Sequence, residues 1–336
     1  MSIHTDAIIW AGILAFAVII YVILDGFDLG IGILYLWFKD KHERDILMNS
    51  VAPVWDGNET WLVFGGAILY GAFPVAYATL LPILYTPILL MLSALVFRGV
   101  AFEFRFKADT SRPFWDVAFI GGSLLAAFCQ GVVLGTFVHG YGFGSIRAQV
   151  EYYAWLSPFS IMTGLGVACG YALLGATWLI MKTEGDMQIK ARKLARIFFM
   201  AMLAFIAIVT IWSPLAIPFI HARWFSEPNI FYLAPLPVIT ALACGYAVYS
   251  LYHADERAPF IISVVIFLLF YVGLAISVWP YIIPHQVTIF DAITNKKALH
   301  FLSVAVFALL PLLLIYTAYA YYVFRGKVHE HTGYHH

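Results

Sequence analysis

The chain has 336 residues, of which 62% are hydrophobic and 11% charged, with a mean hydropathy of +0.87 and no formal net charge. Soluble domains carry about 25% charged residues, so this composition excludes a soluble enzyme and marks a polytopic membrane protein. There is no basic field to hold nucleic acid, and Cys129, Cys169 and Cys244 lie in separate apolar segments without CxxC or CxxCH spacing, as small buried hydrophobes do.

Windows of about 20 apolar residues are long enough to span a bilayer. Nine are predicted: 7–37, 50–72, 78–103, 114–138, 155–181, 195–220, 231–251, 258–283 and 299–324. The first has no basic region ahead of it and is too long for a signal-peptide core, so it reads as an uncleaved span. Lys39, Lys41 and Arg44 follow span one, Arg105, Lys107 and Arg112 follow span three, and Lys182, Lys190, Arg192, Lys193 and Arg196 follow span five. With Arg257, Arg325 and Lys327 they make fourteen basic residues on one side, against Arg147, Arg223, Lys296 and Lys297 on the other. That asymmetry predicts an external N-terminus and a cytoplasmic C-terminus. The stretch 139–154 reads as an external loop rich in glycine and aromatics, and 182–194 as a polar, basic cytoplasmic connector. Pro214 and Pro218 predict a kink or unwinding near the end of span six. His329–His336 reads as a solvated tail rather than a metal site. The organisation is a single membrane domain, residues 1–138 forming a first bundle with a polar cluster and 139–336 the remaining helices and tail.

The cluster is the chemical signal. Asp25 and Asp28 sit inside span one, three residues apart and so on one helix face, with Gly26 and Gly30 offering a close approach to another helix. An acid at bilayer depth costs roughly 2.5–3.5 kcal/mol on insertion scales, so a functional or ion-paired role is the default. Asp56 and Glu59 lie about 10–15 Å from the cytoplasmic edge of span two. Arg98 is near the cytoplasmic end of span three and Glu103 at its exit. Three consecutive spans thus place charges in the same half of the membrane, and antiparallel neighbours joined by short loops usually touch. In the constellation of Asp25, Asp28, Asp56, Glu59 and Arg98, one cation cannot neutralise four carboxylates, so the surplus must be protonated, hydrated or paired with another chain. Such acids can relay protons. The plainer reading pairs Arg98 with one acid and leaves another bonded to backbone; the clustering of all five favours function. Gly131-x-x-x-Gly135 and Gly166-x-x-x-Gly170 are packing candidates, and mid-span Gln130 requires a hydrogen-bond partner.

All eleven histidines fall in predicted loops, tails or span ends, and Met91, Met162 and Met202 have no histidine at matching depth. The chain is therefore expected to provide no haem ligands. It also lacks zinc, nucleotide-binding and nucleophile motifs.

Three stretches carry a family resemblance: Asp25-Gly26-Phe27-Asp28-Leu29-Gly30; Asn49-Ser50-Val51-Ala52-Pro53-Val54-Trp55-Asp56-Gly57-Asn58-Glu59-Thr60-Trp61; and Phe97-Arg98-Gly99-Val100-Ala101-Phe102-Glu103-Phe104-Arg105. They resemble subunit II of the cytochrome bd-type quinol oxidases, and the short loops are similar to the cyanide-insensitive branch. The resemblance implies an all-α integral membrane protein of nine transmembrane helices, two four-helix bundles plus one peripheral helix, in the bacterial cytoplasmic (inner) membrane. It implies a haem-free subunit of a terminal oxidase that oxidises quinol and reduces dioxygen to water. A larger subunit I would carry haem b and haem d and the quinol site. A small single-helix subunit and a structural quinone in this chain occur in some relatives. Asp56 matches an acid near the cytoplasmic mouth of a proton path, Asp28 and Arg98 match supporting residues, and Asp25 and Glu59 fit the motif stretch; Arg98 and Glu103 are read as balancing charge. The expected chemistry is electrogenic without a pump. Two other classes compete. One is a purely structural subunit that clamps subunit I. The other is a proton-coupled secondary transporter, against which the off-centre charges and the lack of a paired set in the second half count.

Overall fold

The computed structural model describes residues 3–140 and 153–328. The described chain is helical apart from one short hairpin. Helix α1 (Ile3–Leu34) is followed by a short helix, α2 (Lys41–Asn49), then α3 (Trp55–Ala72), α4 (Pro74–Arg105) and α5 (Arg112–His139). Next come α6 (Pro158–Lys182), α7 (Gly185–Ala216), α8 (Pro218–Phe225), α9 (Asn229–Leu233) and α10 (Pro235–Tyr252). The chain closes with α11 (Ala258–Val278), a hairpin of β1 (Tyr281–Ile283) and β2 (Val287–Thr288), α12 (Ile289–Ala292) and α13 (Lys296–Val323).

Eight helical segments are long and apolar enough to cross a membrane: α1, α4, α5, α6, α7, the joined α9–α10, α11 and α13. Helix α3 has 18 residues but opens on Asp56, Asn58 and Glu59, and so falls outside that set. It covers predicted span two only from Trp55, because residues 51–54 turn around Pro53.

Three expectations are corrected. The stretch 182–194 is not a connector: α7 starts at Gly185, since no breaker stands between there and Pro214. Its polar first turns are helical because their side chains reach neighbours, Lys190 pairing with Glu43 at 2.9 Å and Arg192 donating to the carbonyls of Ser250, His253 and Asp255. Span eight ends at Val278, not 283, because Pro280 cannot continue a helix and the chain turns into the hairpin. The short α2, capped by Asp40 accepting from the His42 amide at 2.8 Å, was absent from the predicted elements. Its apolar contribution is two buried residues, Leu47 and Met48, too few for a span-length window to register. At Ile217 the helix breaks into extended backbone between Pro214 and Pro218. The central part of the 139–154 loop, with Arg147, and the tail His329–His336 lie outside the described residues.

Helix α6 is the most enclosed long helix, packed on α1, α5 and α7. Glycine sets two of these contacts. A Cβ on Gly30 would run into the Tyr171 carbonyl and come 2.9 Å from the Gly175 amide, and one on Gly131 would lie 2.5 Å from the Thr163 carbonyl. Backbones that meet this closely admit no side chain between them.

The cytoplasm-directed ends, in the predicted orientation, are tied by a clamp. Lys182 Nζ donates to the Phe324 carbonyl at 2.7 Å, and the Val328 amide donates to the Lys182 carbonyl at 2.9 Å. Lys327 lies 2.8 Å from Glu256, which also accepts from Gln188 at 3.0 Å. The hydrogen bonds from Lys327 and Gln188 hold Glu256 below the usual glutamate range. Slight burial opposes the charged form of Lys327, but its bond to Glu256 outweighs this and raises it. A depressed acid contributes above its ordinary range and loses that contribution as pH falls through its folded value. A raised lysine contributes below its ordinary range and loses it as pH rises through its folded value. The clamp is therefore expected to hold across neutral pH and open at both extremes. Protection of the Val328 amide against hydrogen exchange, corrected for intrinsic rate, checks this; Lys327→Ala is expected to lower that protection at neutral pH.

Candidate functional site: a buried carboxylate cluster on one arginine

Arg98, on α4, has no exposed side-chain surface. Its Nη2 lies 2.6 Å from Asp28 Oδ2, its Nη1 lies 2.6 Å from Glu59 Oε1, and the same Nη1 lies 3.7 Å from Asp25 Oδ1. Helices α1, α3 and α4 thus deliver three acids to one guanidinium. Asp25 and Asp28 are fully buried, whereas the Glu59 side chain is 24% exposed. Glu59 is the cluster member that reaches the surface. Aromatic rings close the other side: Trp55 and Phe102 stack 5.0 Å apart, and their centroids lie 5.7 and 5.2 Å from Arg98 Cζ. Cation–π attraction there keeps the cation in place without a further counter-charge.

Asp56 is not in this group. It is exposed, one helical turn before Glu59, and on a stripe with Val63 and Tyr70 that recurs every seven residues. Glu103 is likewise apart. It stands five residues beyond Arg98, about 140° round the helix, and makes a surface pair with Lys107 at 3.8 Å. Contrary to expectation, it takes no part in balancing the Arg98 cluster.

The cluster has two polar extensions. Asn58 Nδ2 donates to the Leu24 carbonyl at 3.1 Å and its Oδ1 accepts from the Tyr321 hydroxyl of α13 at 2.9 Å. On the other side, Gln130 Nε2 donates to the Tyr21 hydroxyl at 2.7 Å, and the Tyr171 hydroxyl donates to Gln130 Oε1 at 2.6 Å. The partners that Gln130 requires are thus two tyrosines from α1 and α6.

A second ion network was not foreseen. Arg105 is fully buried and bonds both Asp45 of α2 and Asp116 of α5, and Arg44 pairs with Asp116 at 2.7 Å. The Tyr35 hydroxyl donates to the Arg44 carbonyl, and its ring lies 5.6 Å from Arg105 Cζ. Asp116 was the available signal, an acid inside a predicted span; Arg44 reads in the sequence as a topology-setting loop charge, and Arg105 as that and as the last residue of the third resemblance stretch. Its two cations and two acids balance, unlike the Arg98 group.

The family model for cytochrome bd terminal oxidase subunit II matches residues 6–324. The chain belongs to that family. Among relatives, subunit 2 of the cytochrome bd ubiquinol oxidase of Bacillus subtilis is 30% identical, the match covering 95% of this chain and 96% of the relative. Subunit 2 of the cytochrome bd-I ubiquinol oxidase of Escherichia coli K12 is 27% identical over 95% of this chain and 94% of its own. In fold, the chain is similar to a chain of the bd oxidase from Geobacillus thermodenitrificans, with a TM-score of 0.75 at 23% identity, covering 95% and 98% of the two. This subunit II is therefore part of a quinol-oxidising terminal oxidase of the bacterial inner membrane, an oxidoreductase complex with a subunit I partner.

Proposed function

We propose that this subunit II carries the cytoplasmic proton-uptake path of its oxidase. The observation that supports the reading is the charge imbalance of the Arg98 group: three acids share one buried cation, and Glu59 alone joins them to the surface. Burial opposes net charge, so the surplus negative charge is best met by protons. Asp56 receives protons from the cytoplasm on the exposed stripe of α3. Glu59, one turn deeper, extends the route, Asp25 and Asp28 hold protons, and Arg98 fixes the balance. The stripe of Asp56, Val63 and Tyr70 faces the haem-bearing subunit I. Protons consumed with dioxygen then come from inside while quinol releases its protons outside, which makes turnover electrogenic without a pump.

The same reading takes α3 as a ninth span, with the N-terminus outside, the C-terminus cytoplasmic, and two four-helix bundles plus one peripheral helix. Haem b and haem d belong to subunit I. Among the described histidines, His4, His139, His221, His253, His285 and His300 lie at or near helix ends, in the short α8 or in a loop, and His42 lies on the short α2. No step is assigned to a haem on this chain.

One observation favours the structural alternative: Arg105 forms a comparably buried network whose charges balance, so ion pairs in this chain also serve packing. Asp56→Asn and Glu59→Gln in the assembled oxidase separate the two. The relay predicts normal haem content with quinol-oxidase turnover and charge separation falling at least about a hundredfold, the lower end of the scale of a lost proton-transfer group. Wild-type turnover in both variants defeats the relay. Loss of haem or of subunit I instead supports the scaffold.

A further inference from the structure

Asp25 is the anomalous member of the Arg98 group. It is fully buried, its nearest Arg98 nitrogen is 3.7 Å away, and neither carboxylate oxygen has a hydrogen-bond partner in the standing geometry. A buried carboxylate left so is costly. One neutral donor is at hand, the Tyr21 hydroxyl one turn earlier on α1, within electrostatic and hydrogen-bonding range of Asp25. Its state is set from elsewhere. Tyr171 donates to the Gln130 carbonyl oxygen, so Gln130 must present its amide N–H to Tyr21. The Tyr21 oxygen accepts that bond, which leaves its own proton to turn onward, toward Asp25.

We propose that Gln130 and Tyr171 are positioning residues that make Tyr21 a hydrogen-bond donor to the Asp25 carboxylate. The inference rests on the relay reading for its role in turnover. When Asp25 takes up a proton, the carboxylic acid becomes the donor and the Tyr21 oxygen its acceptor. The Tyr21 proton then turns back to Gln130. Rotation of the amide by half a turn offers its carbonyl to Tyr21 and its N–H to the Tyr171 oxygen, so each link keeps one hydrogen bond with its polarity reversed. No proton leaves a tyrosine; the proton gained by Asp25 is the only one transferred. The three links join α1, α5 and α6, so the protonation state of one acid is coupled to the orientation of one amide. The other charged or titratable groups around Asp25 are Asp28 on α1, Glu59 on α3, Arg98 on α4, Tyr171 on α6 and Tyr321 on α13. None of them stands between Tyr21 and Gln130.

The test is infrared difference spectroscopy of the purified oxidase in lipid, titrated across pH. The carboxyl band missing in Asp25→Asn identifies the residue. Tyr21→Phe and Gln130→Met are expected to move that band to higher wavenumber and to shift its pH dependence toward alkaline pH by about one unit, a tenfold change in proton affinity, because the donor to the anion is gone in the first and is no longer held toward it in the second. Tyr171→Phe is expected to shift it less. A band and pH dependence unmoved in Tyr21→Phe, or no band lost in Asp25→Asn, overturns the proposal. If Tyr21→Phe does not assemble, Gln130→Met and Tyr171→Phe carry the test, since both leave Tyr21 and Asp25 in place. Failure of the relay is a separate result: Asp25→Asn would retain turnover while the band shift in Tyr21→Phe persisted.

Discussion

Replacing Arg98 with leucine is expected to prevent accumulation of the assembled oxidase. The guanidinium is fully buried and is the shared partner of Asp25, Asp28 and Glu59. Removing one partner of a buried pair leaves an uncompensated charge and costs about 3–5 kcal/mol, a large share of a typical domain stability of about 5–15 kcal/mol. Arg98→Lys is not a conservative repair, because one ammonium cannot address acids on two different helices with a rigid fork. The double variant Arg98→Leu with Asp28→Leu is expected to recover part of the loss. The measurement is complex yield and thermal unfolding in detergent. An Arg98→Leu oxidase with wild-type yield and melting temperature would show that the acids balance their charge without it, and the cluster would then lose its organising residue.

The second large effect is expected at Gly30. Its Cα faces the α6 backbone between Tyr171 and Gly175, and an added Cβ would collide with the Tyr171 carbonyl. Neither wall is a flexible side chain, so the helices must separate. Overpacking costs about 1–3 kcal/mol in a well-packed core, the range expected for Gly30→Ala, with Gly30→Leu beyond it. Parting α1 from α6 also strains the polar chain that runs from Tyr21 on α1 through Gln130 on α5 to Tyr171 on α6. Lowered thermal stability with retained turnover in Gly30→Ala would mean that packing and proton handling are separable at this contact. Unchanged stability would mean that α6 slides to make room.

How legible the site was in the sequence depended on depth and azimuth. Charges inside apolar windows stand out because their burial is expensive, and so Asp25, Asp28, Glu59 and Arg98 were found and are brought together. Depth alone does not say which way a side chain faces. Asp56 stands only one turn from Glu59 but is rotated onto the outer stripe of α3, and Glu103 is rotated off the Arg98 face. The Arg105 network stayed hidden for another reason. Charges at the ends of spans look solvated in a hydropathy window, and only the fold tells that α2 and α5 bring Asp45 and Asp116 over Arg105. Gln130 was recognised as needing a partner, but Tyr21 and Tyr171 read as two aromatics among many until their hydroxyls were seen to converge on it. Helix boundaries failed where tertiary bonds override composition, as at the start of α7.

That start of α7 bears on how the protein is made. Arg192 and Arg196 donate to the carbonyls of Ser250 and Leu251 at the end of α10 and to those of His253 and Asp255 just past it. They are also among the basic residues that favour a cytoplasmic location for this end. During synthesis α7 emerges first, so its arginines await acceptors that the ribosome has not yet produced. Until α10 arrives, those cations lack the carbonyl acceptors they hold in the folded protein. Substituting lysine keeps the charge that guides insertion but loses the planar donor array that closes the helix end. Such a chain is expected to be threaded correctly and finished poorly, which separates the instruction for topology from the instruction for assembly within one residue.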